Sequence, residues 1–349
     1  MIIDVAALTK YVRTLFEKIG SQPEEARLVA ENLVAANLAG HDSHGIGMIP
    51  DYVTYARSGA LQLNQHMRII KDTGPVIIID GNFGFGQVIG QEAMQLVIPR
   101  ARAQGLLMLN LRRTHHLARI GAWAEQLAAA GLVSLHFVNV VGVRPRVAAF
   151  GGSLARLGTN PFCIGVPRPP LPPLVLDIAT SRIALGKVRV ARNKRESVAP
   201  GTLVDAQAQP TTDPNAMFDE PAGAILPFGE HKGFGLSVMC EVLAGALSDR
   251  ETIVPANQIP NSIVNNMTSF IFNPDVFVEN STFTDELNEL GEWIKAKTSF
   301  DQSADILMPG EKETLTRAER RGGIPVDPET WAGITAIGDA LGLDGKIYS

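Results

Sequence analysis

The chain has 349 residues, with 31 Lys+Arg against 36 Asp+Glu and a formal net charge of -5. At 45% hydrophobic and 19% charged residues it excludes a disordered or fibrous protein, and its positive charge is too sparse for a dedicated nucleic-acid binder. Charge falls below the roughly 25% usual for globular chains, which predicts extensive buried surface, including surface between subunits.

At roughly 100–200 residues per domain, the length predicts two domains or one large domain with a helical annex. Cys163 and Cys240 sit in the apolar runs PFCIGV and LSVMCEVLAGAL, the pattern of buried free thiols in a reducing compartment. No apolar run approaches the ~20 residues of a membrane span, and the start MIIDVAALTKYV lacks the basic-then-apolar order of a signal sequence. A cytoplasmic protein is expected, with no membrane and no nucleic-acid partner.

From Asp4, the residues Val5, Leu8, Val12, Leu15, Phe16 and Ile19 recur at helical spacing up to Gly20. Ser21 followed by Glu24 resembles a capping box opening a second helix through Ala26, Val29, Leu33 and Val34, which runs to Gly40. A polar loop, HDSHG (41–45), follows. Strands are predicted at VIIID (76–80), LLMLN (106–110), LVSLHFV (132–138), FCIGV (162–166), LVLDI (174–178) and MTSFIF (267–272). Helices are predicted after the glycine turn at 84–90, at AWAEQLAAAG (122–131) and at GFGLSVMCEVLAGALS (233–248). Continuous apolar strands alternating with helices imply a sheet covered on both faces. Beyond Met308 the chain turns charged and helical again, so the tail is expected to fold back on the N-terminal hairpin.

Several residues carry potential chemistry. Gly84-Phe85-Gly86-Gln87-Val88-Ile89-Gly90 is a G-x-G-x-x-x-G turn able to face a phosphate. It misses the G-x-G-x-x-G spacing, and Asp80 precedes it where an acid should follow, which favours a purely structural turn. His44 lies in a glycine-bounded polar loop, where it is able to exchange a proton while Ser43 or Asp42 sets its tautomer; a capping serine beside a surface histidine is the competing reading. His115 and His116 follow a strand at the ligand-binding edge of a parallel sheet, without the further ligands that a metal needs. His231-Lys232-Gly233 opens an apolar helix and offers donors to a phosphate, or is simply solvated. His136 reads as a locally satisfied strand residue. The basic stretch SRIALGKVRVARNKR reads as a solvated helical face unless an anion lies nearby.

Together the stretches NLAGHDSHGIGMIPDYV, THHLARIGAWAEQLAAAGL, FGGSLARLGTNPF, LDIATSRIALGKV, LVDAQAQPTTDP, LPFGEHKGFGLSVMCEVLAGALS and LMPGE resemble the malate/L-lactate dehydrogenase family, across nearly the whole chain. GHDSHGIGMIP is most similar to the hydroxycarboxylate dehydrogenase B branch, which reduces 2-oxo acids including arylpyruvates with NADH or NADPH. The resemblance implies a non-Rossmann α/β fold: a three-layer mixed sheet with a helical domain from both termini. Residues 1–74 with 309–349 would form the helical substrate and dimer domain, and 75–308 the NAD(P)-binding domain. It implies a homodimer, NAD or NADP as cofactor, no metal, and a small 2-oxo or 2-hydroxy acid as substrate. His44 would be the proton donor and Ser43 its orienting partner. His116, Ala118, Arg119 and Ile120 would lie along cofactor or substrate, and Thr159 and Asn160 would contact substrate. Asp177, Ala179, Thr180, Ser181, His231, Lys232, Gly310 and Glu311 would border the cofactor.

Two departures matter. Many members carry arginine where this chain has Met48, so a carboxylate clamp from that position is missing, which predicts a substrate with an apolar tail, such as phenylpyruvate, over one with a second carboxylate. Lys187 matches the hydroxyacid branches and weighs against the alternative activity of the scaffold, NADPH-dependent reduction of cyclic imino acids. Met48, Thr114 and His115 also leave open a non-catalytic cofactor-binding protein, against which Ser43, His44, His116, Thr159 and Lys232 argue.

Overall fold

In the computed structural model, which describes residues 1–259, 262–297 and 305–343, helix α1 (Val5–Ile19) starts where Asp4 accepts from Ala7 N–H and stops at left-handed Gly20. Helix α2 (Pro23–Leu38) differs from the expected capping box: its N-cap is Gln22, which makes no side-chain cap bond. Pro23 has no N–H to satisfy, and Ser21 instead donates to Glu25 Oε1 at 2.6 Å while Glu25 Oε2 accepts from Asn64 N at 2.7 Å. The predicted capping signal therefore ties α2 to the loop beyond α3 (Ile49–Ser58).

Both chain ends share one core. Leu8, Val12, Leu15, Phe16, Leu33, Ile49 and Tyr52 pack with Trp331 and Ile334 of the C-terminal helix Pro328–Ala340. The short strand Ile2–Ile3 pairs antiparallel with Ile324–Pro325. The fold-back follows from helices whose apolar stripes have no other partner.

The central sheet has seven strands: β1 (Arg68–Asp72), β2 (Val76–Asp80), β3 (Leu106–His115), β4 (Val133–Val141), β5 (Phe162–Val166), β6 (Leu174–Ile178) and β7 (Val264–Phe272). Their order is β1-β2-β3-β7-β4-β5-β6. Within this sheet only β2 and β3 run parallel and every other neighbouring pair is antiparallel, the mixed sheet that the resemblance implies; the parallel edge read at His115 and His116 is limited to the β2–β3 pair. Helices α4 (Gly86–Gln104) and α5 (Gly121–Ala129) cover one face through Ile89, Met94, Val97, Trp123 and Leu127, against Ile77, Leu109, Val138 and Met267. The opposite face is polar: Asn110 donates to Ser248 Oγ at 2.9 Å, Thr268 to Leu243 O at 2.6 Å, and Asn139 to Glu241 Oε2 at 3.1 Å. The segment seated there was expected as one apolar helix; it is an α-helix (His231–Cys240) that widens into a π-turn at Glu241–Gly245. Its outer side leaves Met239, Val242 and Leu247 exposed.

The architecture is thus a three-layer α/β fold on a mixed sheet. A smaller five-stranded sheet of two- and three-residue strands lies beyond β4 and β6. Elements the sequence left unassigned include β1, α3 and the helix Asn280–Lys295. Both cysteines are buried free thiols. Among the described residues, no helix is long and apolar enough to cross a membrane.

Candidate active site

The loop after α2 is held from several sides. Left-handed Gly40 ends the helix, and residues Asp42–His44 form a 3-10 turn. Asp42 accepts from Asn37 Nδ2 at 2.7 Å and from Arg320 Nη1 at 2.8 Å, while His41 Nε2 lies 3.1 Å from Glu313 Oε1. A side chain at Gly45 would overlap Asn37, whose Oδ1 accepts from Ile46 N at 2.8 Å. The turn aims Ser43 and His44 into a cleft against α6 (Leu185–Lys194), where Gly186 makes room for Ser43.

Ser43 Oγ lies 2.9 Å from His44 Nδ1, which leaves Nε2 as the ring nitrogen without a partner among the described residues. The ring stacks on His116, with centroids 5.5 Å apart and planes 28° apart. Burial pushes the His44 imidazole down to about 4, and the positive charges of His41, Arg119, Lys187 and Arg189 act in the same direction. His116 is set by a chain the sequence did not reveal: Gln87 Nε2 donates to Tyr52 Oη at 2.9 Å, and Tyr52 Oη lies 2.7 Å from His116 Nδ1. With Gln87 as donor, the phenol hydrogen goes to Nδ1, which assigns the His116 proton to Nε2. Burial holds the His116 ring neutral, well below its ordinary range. His115 points elsewhere, into the packing of Tyr52 and Tyr55, and neither of its ring nitrogens has a partner among the described residues. Among the described residues, no group of three or more His, Cys, Asp and Glu is arranged to hold a metal.

Three cavities with shared lining residues adjoin here. One of about 390 Å³ is lined by His41, His44, Ala118, Arg119, Ile120, Thr159, Asp177, Ala179, Ser181, Arg182 and Lys187. A second, of about 300 Å³, shares Ser43, His44, Ala118, Ile120 and Thr159 with it and adds Met48, His116, Val140, Arg146, Arg189 and Phe218. A wider outer cavity shares Asp51, Tyr55, Val143 and Arg146 with the second. Asp177 Oδ2 accepts from Gly121 N at 2.7 Å, and burial raises its carboxyl although Arg119 opposes the shift. Arg119 Nη2 pairs with Glu125 Oε2 at 2.6 Å, Glu125 is also held by Arg317 at 2.7 Å, and Arg119 Nη1 is buried without a partner among the described residues.

Several expected residues lie elsewhere. Asn160 is fully buried and spends its amide on Val140 N, Ser237 O and Glu241 Oε1, so it shapes the wall from behind. Thr180 is likewise buried and bonds Thr159 O at 3.1 Å. His231 and Lys232 are exposed at the start of their helix and line none of these cavities. Left-handed Gly310 lets the chain pass Pro173 and Val175, and Glu311 pairs with Lys295 at 2.6 Å. The turn at Gly84–Gly90 is structural: a side chain at Gly86 would strike the His116 carbonyl, and a Cβ at Gly90 would sit 2.6 Å from Trp123. His136 is satisfied by Ser269 at 2.7 Å and Ser134 at 3.0 Å, as expected.

Sequence reasoning also missed Tyr52, Tyr55, Arg146 and the role of Arg189. Arg189 lies within the basic stretch, yet it reaches Asp51 Oδ2 at 3.2 Å and Met48 Sδ at 3.8 Å. The only signal available was a basic segment of helical periodicity, which does not say which face meets a cleft.

A profile of the malate/L-lactate dehydrogenase family matches residues 3–335. Hydroxycarboxylate dehydrogenase B of Escherichia coli O157:H7 is 47% identical over 343 residues, 97% of this chain and 94% of that protein. Among solved structures, sulfolactate dehydrogenase from Methanocaldococcus jannaschii superposes with a TM-score of 0.86 at 30% identity, covering 100% of this chain and 99% of that one. Delta1-piperideine-2-carboxylate reductase from Pseudomonas syringae pvar. tomato superposes with a TM-score of 0.81 at 30% identity, covering 97% and 99%.

Proposed function

The chain belongs to the malate/L-lactate dehydrogenase family, and we propose that it interconverts a 2-oxo acid and the corresponding 2-hydroxy acid with NAD or NADP. The relatives support an oxidoreductase of small hydroxy acids. The observation that carries the mechanism is His44: Ser43 holds Nδ1, and Nε2 is left for a ligand in a cleft walled by cations.

The 390 Å³ cavity suits a nicotinamide dinucleotide on its donor set. Arg119, paired with Glu125 through Nη2, keeps a buried Nη1 donor with no partner among the described residues, and Arg182 and Lys187 line the same wall, so an anionic pyrophosphate would meet a free N–H donor and two further cations. Ala118, Arg119, Ile120, Asp177, Ala179 and Ser181 are the residues we assign to that cofactor. When bound, it supplies the hydride that reduces the carbonyl carbon. The protein's part is to place that carbonyl beside His44, whose Nε2–H gives its proton to the developing alkoxide while Ser43 accepts from Nδ1–H. His116, held by Tyr52, and Thr159 flank the substrate. The substrate carboxylate offsets the positive charge of Arg189 and so raises the His44 pKa in the complex, favouring the protonated donor.

We assign the substrate and dimer surface to residues 1–74 with 309–349, of which 344–349 lie outside the described residues, and the cofactor to 75–308. A homodimer is supported by the exposed Met239, Val242 and Leu247 in a charge-poor chain. We place the enzyme in the cytoplasm, as its buried free thiols suggest.

A panel of 2-oxo acids together with Δ1-piperideine-2-carboxylate, each assayed with NADH and with NADPH, tests the reading. Turnover of oxo acids above that of the cyclic imine is expected, and turnover of the imine alone would replace this reading with imino acid reduction.

A further inference from the structure

Arg146 is a guanidinium without an ion pair among the described residues. Two neighbouring arginines each have a carboxylate: Arg144 Nη1 pairs with Glu220 at 2.5 Å, and Arg189 Nη1 with Asp51 at 3.2 Å. Arg146 forms no ion pair among the described residues; its Nη1 makes one long contact to Met217 O at 3.5 Å, and its Nε is buried with no partner. A half-buried cation left this way is costly unless an anion arrives to complete it. Its backbone is fixed by a bond from Arg146 N to Leu157 O at 2.8 Å and another from Ile225 N to Arg146 O at 2.9 Å, so the side chain is mounted on the small sheet beyond β4, not on a free loop.

Its position along the cleft says which anion. The substrate cavity joins the cofactor-side cavity at His44 and Thr159, where the reacting carbonyl must lie, and joins the outer cavity at Tyr55, Val143 and Arg146. Arg146 thus stands at the end away from the reacting carbon. Arg189, beside Met48, is the guanidinium nearer the position from which a first carboxylate would otherwise be clamped. We propose that Arg146 is a specificity-determining residue that binds a second carboxylate, at the far end of the substrate, so that a dicarboxylic 2-oxo acid is preferred over a monocarboxylic one of equal length. This rests on the oxo-acid reading above and reverses the expectation, drawn from Met48 alone, that the tail is apolar. The planar fork of Arg146 offers two parallel N–H donors to a carboxylate, which lysine does not reproduce.

The test compares 2-oxoglutarate with 2-oxopentanoate, which has the same carbon count but ends in a methyl group, in the wild type, Arg146→Met and Arg146→Lys. In Arg146→Met the KM for 2-oxoglutarate is expected to rise roughly 10- to 100-fold, as loss of a charged hydrogen-bonded contact does, while the KM for 2-oxopentanoate stays within about threefold and NAD(P)H affinity, read by fluorescence, is unchanged. Arg146→Lys should fall between. An equal rise for both acids, or no rise for either, overturns the assignment of Arg146 and leaves the oxo-acid reading standing. A wild type that reduces neither acid, nor any member of the oxo-acid panel, overturns the functional reading itself.

Discussion

The imidazoles of His44 and His116 lie stacked with centroids 5.5 Å apart, one carried by the turn after α2 and the other by the end of β3. Each ring is oriented at Nδ1 by a hydroxyl, that of His44 by its chain neighbour Ser43 at 2.9 Å and that of His116 by Tyr52, reaching across from α3, at 2.7 Å. Two neutral, tethered rings side by side divide the labour: one presents a free nitrogen to the ligand and the other forms a fixed wall behind it.

Substitution His44→Gln removes the proposed proton donor and keeps the approximate size of the side chain. Turnover of 2-oxo acids should fall by roughly 10²–10⁴-fold, while NAD(P)H binding by fluorescence titration changes little. Wild-type turnover in this variant would falsify the role given to His44.

The pH dependence follows from the same ring. Its pKa in the free protein is lowered to about 4, first by burial and then by neighbouring cations. Reduction needs the protonated ring and so declines as pH rises, whereas oxidation needs the neutral ring and rises. A bound carboxylate raises the pKa, so the pKa seen in kcat for reduction should lie above that seen in kcat/KM. Profiles in which the two coincide, or reverse, would remove the argument.

Tyr52→Phe deletes the hydroxyl shared by Gln87 and His116 and leaves buried Gln87 Nε2 and His116 Nδ1 without a partner. A loss of about 1–3 kcal/mol is expected in denaturant unfolding, with a smaller fall in turnover than for His44→Gln. Unchanged stability would mean that solvent or a neighbour takes over the bond.

Gly186→Ala should act on catalysis from another element. A Cβ there would overlap the Ser43 side chain and come within 3.2 Å of its Cα, so the serine must shift. Overpacking of about 1–3 kcal/mol is expected, and displacement of Ser43 should lower kcat more than it changes cofactor affinity. Paired kcat and fluorescence titrations check this, and equal losses in both would point to general unfolding.

Acid should weaken the fold before it reaches the carboxylates. Burial lowers the folded-state pKa of His115 and His136 to about 3 and of His44 to about 4, and holds His116 low as well. The unfolded histidines take protons near their ordinary value of about 6.5, so this stability is present above that pH and is lost as pH falls toward the folded values. Asp177 and Glu241 act in the opposite sense at lower pH, since burial raises their carboxyls. Urea midpoints should therefore drop between about pH 7.5 and 5.5, and less steeply in His136→Gln; a flat response in the wild type contradicts the linkage.

Much of the fold could be read locally. The strands Val76–Asp80, Phe162–Val166 and Leu174–Ile178 fall where their apolar β-branched runs lie, and α1 runs between the Asp4 cap and Gly20 as its periodicity predicts. Strand direction was not legible, because the run of a strand carries no record of its neighbour, and β7 enters between β3 and β4 from far along the chain. Within the site, Ser43 and His44 were legible because they are adjacent and glycine-bounded. Asn160, His231, Lys232 and Glu311 match motifs yet hold walls, helix starts or ion pairs outside the cavities.

The sequence by itself determined the layers, the family pattern and the Ser43-His44 turn, because periodicity, capping and short motifs act over a few residues. The tertiary structure alone decided which charges share the cleft. It set Tyr52 against His116, brought Arg189 to the arginine-less position of Met48 and left Arg146 without an ion pair among the described residues, because each of these depends on where separate elements pack and which carboxylates are already spent.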